Sequence, residues 1–90
     1  MRSIIQEDLS TCFICGATAT EEHHIFGGAN RKLSEKYGLK VRLCHWCHNE
    51  PPNGAHFNKE VADDLKRIAQ ERFEETFDED FLGVFGRMYR

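Results

Sequence analysis

The sequence predicts a small α+β domain, stapled by zinc and closed by a long C-terminal helix, on three observations. Four cysteines fall into two C-x-x-C pairs, Cys12 with Cys15 and Cys44 with Cys47. Two short stretches, 21 to 26 and 39 to 43, read as strands. Residues 59 to 77 place Val61, Leu65, Ile68, Ala69 and Phe73 along one apolar helical face.

The cysteines carry the most information. Two residues between paired thiolates let a tight knuckle aim both sulfurs at one ion, and two such knuckles complete a tetrahedral zinc shell. A chain of 90 residues buries only about 60 to 65% of its unfolded surface, so a staple of this kind makes up for a small core. No stretch approaches the roughly 18 apolar residues of a membrane span, and Met1 to Gln6 lacks the apolar core of a signal peptide. The expected location is therefore cytoplasmic, with no membrane partner. In that reducing compartment the four cysteines read as zinc ligands rather than disulfides.

Taken in order, Ile4, Ile5 and Leu9 are expected to cover one side of the first knuckle, where Gly16 follows Cys15 at the turn. Glu21 to Phe26 is a short strand carrying His23 and His24 and ended by Gly27-Gly28. Leu33 and Tyr37, four apart among charges, suit a helical turn or two stopped by Gly38. Leu39, Val41 and Leu43 then alternate with Lys40 and Arg42, the period-two pattern of a half-buried strand delivering the second knuckle. A helix is expected to enter near Cys44 to His48, with His45 at the surface and Trp46 in the packing. Pro51-Pro52-Asn53-Gly54 interrupts it, because proline has no amide donor and clashes with the preceding turn. Asn58 reads as the N-cap of the long helix. The apolar tail, with Phe81, Leu82, Val84, Phe85, Met88 and Tyr89, either folds back over the domain or forms a partner interface, and folding back is the favoured reading. The whole is one domain over 1–90, with a core at 12–58 and the helix and tail at 59–90.

The net charge of -3 argues weakly against a nucleic-acid partner, but its distribution does not. Residues 1 to 57 carry six Lys or Arg against six Asp or Glu, and residues 58 to 90 carry six against nine, so the excess lies in the C-terminal third. Arg31, Lys32, Lys36, Lys40 and Arg42 face only Glu35 between the paired histidines and the second knuckle. That segment is the candidate phosphate-binding surface.

Cys12-x-x-Cys15, His23-His24-Ile25 and Leu43-Cys44-x-x-Cys47-His48-Asn49 together resemble the signature of HNH endonucleases in their four-cysteine form. The likeness covers residues 12 to 58 and is nearest in wording to small stand-alone phage and prophage proteins. It implies a treble-clef ββα-metal core in which Cys12, Cys15, Cys44 and Cys47 hold a structural zinc. It further implies that His24 is the general base, that His23 and His48 hold a catalytic divalent ion such as Mg2+, Mn2+, Ni2+ or Zn2+, and that DNA is the substrate. The chemistry suits that division: a cation neutralises the anionic phosphodiester while an imidazole, neutral near pH 7, takes a proton from water. The chain departs from the family in two places. Leu39 stands where the middle Asn is common, leaving Asn30 as the nearest candidate. Pro52 stands where a further His often follows, leaving His56 as the candidate third ligand. The expectation is a DNA-nicking endonuclease whose DNA-entering element is the helix at His48 or the basic segment 31 to 42. The alternative is a weakly active or inactive zinc module that binds nucleic acid, or a protein through its acidic helix and aromatic tail.

Overall fold

The computed structural model describes residues 1–89, and its order is β1 (Glu21–His24), a 3-10 turn (Gly28–Asn30), α1 (Arg31–Tyr37), β2 (Lys40–Leu43), α2 (His45–Asn49), α3 (Lys59–Thr76) and α4 (Phe81–Phe85). This is the expected small α+β domain, a two-stranded antiparallel sheet with a long helix. β1 pairs with β2 in the register Glu21↔Leu43, Glu22↔Arg42, His23↔Val41 and His24↔Lys40. Among the described residues no helix is long and apolar enough to cross a membrane.

Local chemistry sets the boundaries. α1 stops at Gly38, whose φ of 72° lies in the left-handed region that side chains resist. The Asn58 side chain accepts from the Val61 amide at 3.1 Å and starts α3. Asp80 does the same for α4, accepting from Gly83 N at 3.1 Å. The lead-in is tied down by hydrogen bonds as well as by Ile4 and Ile5 packing on the core. Gln6 donates to Thr11 O at 2.7 Å and accepts from Arg42 N at 2.7 Å, joining lead-in, first knuckle and β2. Phe13 N donates to Arg42 O at 2.9 Å, seating the first knuckle on the same strand.

The core lies between the sheet, α1, α3 and the C-terminal segment. Leu39, Val41, Leu43, Phe26, Phe73 and Phe81 are all essentially inaccessible. The tail folds back: Phe81 and Phe85 stack at 4.5 Å, and Phe85 lies 4.6 Å from Phe26. Polar ends hold it there, with Tyr37 donating to Glu79 Oε1 at 3.0 Å and Tyr89 N donating to buried Gln70 at 2.8 Å. Ser34 fixes α1 to the chain just after β1, accepting from Phe26 N and donating to Phe26 O, both at 2.9 Å. Trp46 departs from the expected packing, since it is 71% exposed, and in the folded-back tail Leu82 and Met88 also remain exposed. α2 turns Cys47 and His48 inward, and the one-residue offset puts Trp46 on the opposite side.

Candidate active site

The two knuckles converge. One sulfur from each of Cys12, Cys15, Cys44 and Cys47 lies within 4.8 Å of the others, and Cys15 Sγ is 3.6 Å from Cys44 Sγ. Zinc–sulfur bonds of about 2.3 Å in a tetrahedron place sulfurs about 3.8 Å apart, so the spacing fits a structural zinc. Electrostatics agree. Burial is the largest influence on Cys12 and opposes its ionisation, but amides of Cys15, Cys44 and Ile14 outweigh it and bring the thiol down to about 6. Burial, then the neighbouring sulfurs, push Cys47 up. Four crowded thiols cannot all ionise alone, and a dication resolves that conflict.

A second convergence lies next to the first, since His48 follows Cys47 in α2. Strand alternation turns His23 inward, α2 presents His48, and the loop 50 to 57 brings back His56. One nitrogen from each lies within 4.8 Å of the other two. The His48 and His56 rings are 4.6 Å apart with their Nε2 atoms at 2.9 Å, and the His23 ring lies 5.0 Å from His48 and 5.2 Å from His56. His56 arrives by a tight reversal in which Ala55 N donates to Cys47 O at 2.7 Å and His56 N to His48 O at 3.1 Å. Gly54 makes this possible, because a Cβ there would meet Glu50 N and O at 2.8 Å.

Three neutral imidazoles fit a divalent ion, and two observations support it. His23 is 6% exposed, and its buried Nδ1 has no hydrogen-bond partner among the described residues, a cost that a ligand offsets. Burial first, then nearby His48 and His56, lower its pKa to about 3, so it stays uncharged as a metal ligand requires. His48 is backed by a carboxylate. Its Nδ1 lies 2.8 Å from Glu21 Oε1, which also accepts from Asn49 Nδ2 at 2.9 Å. The hydrogen bond to His48, the leading cause, lowers the Glu21 pKa. An ionised carboxylate only accepts, so His48 Nδ1 carries the hydrogen and Nε2 keeps the lone pair for a metal. Residue type alone does not mark Glu21 and Asn49 as site residues, but period two puts Glu21 on the same strand face as His23.

His24 lies on the other face of β1, between two adjoining hollows. One, of about 310 Å3, is bounded by His23, His48, His56, His24, Gly28 and Arg31. The other, of about 550 Å3, runs from His24 past Arg31 and Lys32 to Glu35. His24 Nε2 sits 2.8 Å from Glu35 Oε2. The expected phosphate-binding residues divide here. Arg31 and Lys32 line the cleft, and exposed Lys36 stands outside its walls with its ammonium 5.1 Å from the Tyr37 ring. Lys40 is 3% exposed and bonded to Glu22 Oε1 at 2.9 Å and Glu35 Oε2 at 2.8 Å, so its charge is spent inside the protein. Arg42 donates to Thr20 O at 2.7 Å. Asn30 precedes α1, and its amide donates to Gly27 O at 3.0 Å across the turn that follows the histidines; its side chain forms no part of either cleft wall. No protein-family model matches the chain, and no curated protein or solved structure is significantly similar to it.

Proposed function

We propose that this protein is a metal-dependent endonuclease of the HNH type that nicks DNA. The observation that carries the reading is the convergence of His23, His48 and His56 beside His24, at the head of a cleft walled by Arg31 and Lys32. The β1-β2-α2 order, with knuckles before β1 and at the start of α2, supports a treble-clef ββα-metal arrangement. His23, His48 and His56 are the residues to hold the catalytic ion. An all-imidazole donor set favours Zn2+ or Ni2+ over Mg2+ and Mn2+, which prefer oxygen ligands. When bound, such an ion supplies charge neutralisation for the phosphodiester and its departing oxygen.

The chain's own residues do the rest. Arg31, a planar fork suited to oxyanions, and Lys32 draw the phosphate backbone into the cleft. His24 takes the proton from the attacking water. Glu21 and Asn49 fix His48, and the Gly54 reversal fixes His56, so both imidazoles are oriented before substrate arrives. One base and one ion suffice to cut one strand at a time.

A non-catalytic binding module is the second reading. It is favoured by the internal use of Lys40, which leaves fewer cations for DNA. The test is nicking of supercoiled plasmid by wild type and His24→Ala, with Mn2+, Ni2+, Zn2+, Mg2+ or none. Metal-dependent nicking lost in His24→Ala supports the enzyme; folded, zinc-loaded protein that cuts under no condition refutes it.

A further inference from the structure

Glu22, His24 and Glu35 form a third cluster, with one atom from each within 4.8 Å of the others. Its cation is already present in the chain. Lys40 Nζ reaches Glu22 Oε1 at 2.9 Å and Glu35 Oε2 at 2.8 Å, and the same Glu35 oxygen lies 2.8 Å from His24 Nε2. We infer that Glu35 is a positioning residue: its carboxylate holds His24 as the Nε2–H tautomer and leaves Nδ1 as the nitrogen that accepts the proton from water. The catalytic half of this inference rests on the nuclease reading; the tautomer does not.

The assignment follows from hydrogen counting. The Lys40 ammonium, then the His24 ring, hold the Glu35 carboxyl down to about 2, so it is ionised and has only lone pairs to offer. Lys40 has only hydrogens to offer. The single hydrogen available to the 2.8 Å contact between His24 and Glu35 is therefore the one on Nε2. A neutral imidazole carries one such hydrogen, so the lone pair falls to Nδ1.

The frame around this contact is rigid where it needs to be. Lys40 stands directly opposite His24 in the sheet and, at 3% exposure, keeps its ammonium only by keeping both carboxylates. Ser34, the residue before Glu35, is locked to Phe26 by two 2.9 Å hydrogen bonds, so α1 cannot drift from the end of β1. An exposed glutamate is thereby held in one place by buried neighbours. The arrangement follows the carboxylate–histidine logic of hydrolase dyads, in which the carboxylate selects the tautomer and orients the ring.

The test is nitrogen-15 NMR of the His24 ring in the zinc-loaded full chain, assigned by comparison with His24→Gln. Wild type should show Nε2 protonated and Nδ1 bare. Glu35→Ala should show a mixture of tautomers, while Glu35→Gln, whose carbonyl still accepts both hydrogens, should retain the wild-type form. The Glu35 side chain is 59% exposed, so neither change removes core packing. In plasmid nicking, Glu35→Ala should lose about tenfold in kcat, a fraction of a general base's usual contribution, with KM not raised and with recovery in Glu35→Gln. An Nδ1–H tautomer in wild type, an unchanged tautomer in Glu35→Ala, or a kcat that rises when Glu35 is removed each overturns the inference. A wild type that cuts nothing removes the nuclease reading alone, and the ring spectra still decide the tautomer.

Discussion

Adding one methyl group at Gly54 should dismantle the histidine site without touching a histidine. Gly54 is buried where the chain reverses, its amide donating to Glu50 O at 2.7 Å and its carbonyl accepting from Asn58 N at 2.9 Å. In Gly54→Ala the new Cβ would stand 2.8 Å from Glu50 N and O and 3.0 Å from the His48 carbonyl carbon. Ordinary contact begins near 3.4 Å, and all three atoms are backbone, so no side chain can swing away. The reversal must open by about half an ångström, at a cost of about 1 to 3 kcal/mol by analogy with overpacked cores. In a domain of this size that lowers Tm by roughly 5 to 20 °C. The strain falls on the 3.1 Å hydrogen bond from His56 N to His48 O, which carries His56 to the site. Calorimetry of the zinc-loaded protein, followed by titration with Co2+ as a coloured probe, reads both effects. Asn53→Ala, on the exposed residue next door, is the control. A Gly54→Ala protein that melts with wild type and binds the second ion equally well refutes the role given to this reversal.

Glu21→Gln keeps shape but loses the charge that fixes His48 Nδ1–H, and should weaken the histidine-bound ion by about 10- to 100-fold while sparing the cysteine zinc; isothermal titration measures both. Cys47→Ser should release the zinc and, in a domain with so small a core, unfold it, as circular dichroism with native mass spectrometry would record. Stability should fall in mild acid when no divalent ion fills the histidine site. Burial lowers His23 from its ordinary 6.5 to about 3, so the unfolded chain binds this proton first. Its contribution is therefore whole above pH 6.5 and declines as pH drops toward 3. Between about pH 6.5 and pH 5 the loss is ~2 kcal/mol, and denaturant titrations should show it in wild type and not in His23→Gln.

Much of this architecture is legible in the chain because local chemistry dictates it. The knuckles follow from spacing, β2 from its alternation, the end of α1 from Gly38, and the start of α3 from the Asn58 cap. What sequence cannot supply is the pairing of elements remote in the chain. Lys40 and Arg42 look like free cations in a basic run, yet Lys40 lies buried across the sheet from His24, where Glu22 and Glu35 neutralise it. Glu21 and Glu35 look like solvated acids until the register brings one to His48 and the turn of α1 brings the other to His24. Trp46 looks like core because large apolar side chains usually are. A five-residue helix committed on one side to Cys47 and His48 leaves it in water.

The measurement that bears most directly on the two-centre arrangement is the count of metal ions by native mass spectrometry. Zinc-loaded wild type supplied with Co2+ or Ni2+ should carry two ions per chain, one that resists a mild chelator and one that leaves. His56→Ala and His48→Ala should keep the first and lose the second. A wild type that never exceeds one ion, or a second ion that survives both substitutions, would contradict the assignment of His23, His48 and His56 as a metal site and with it the proposed nuclease.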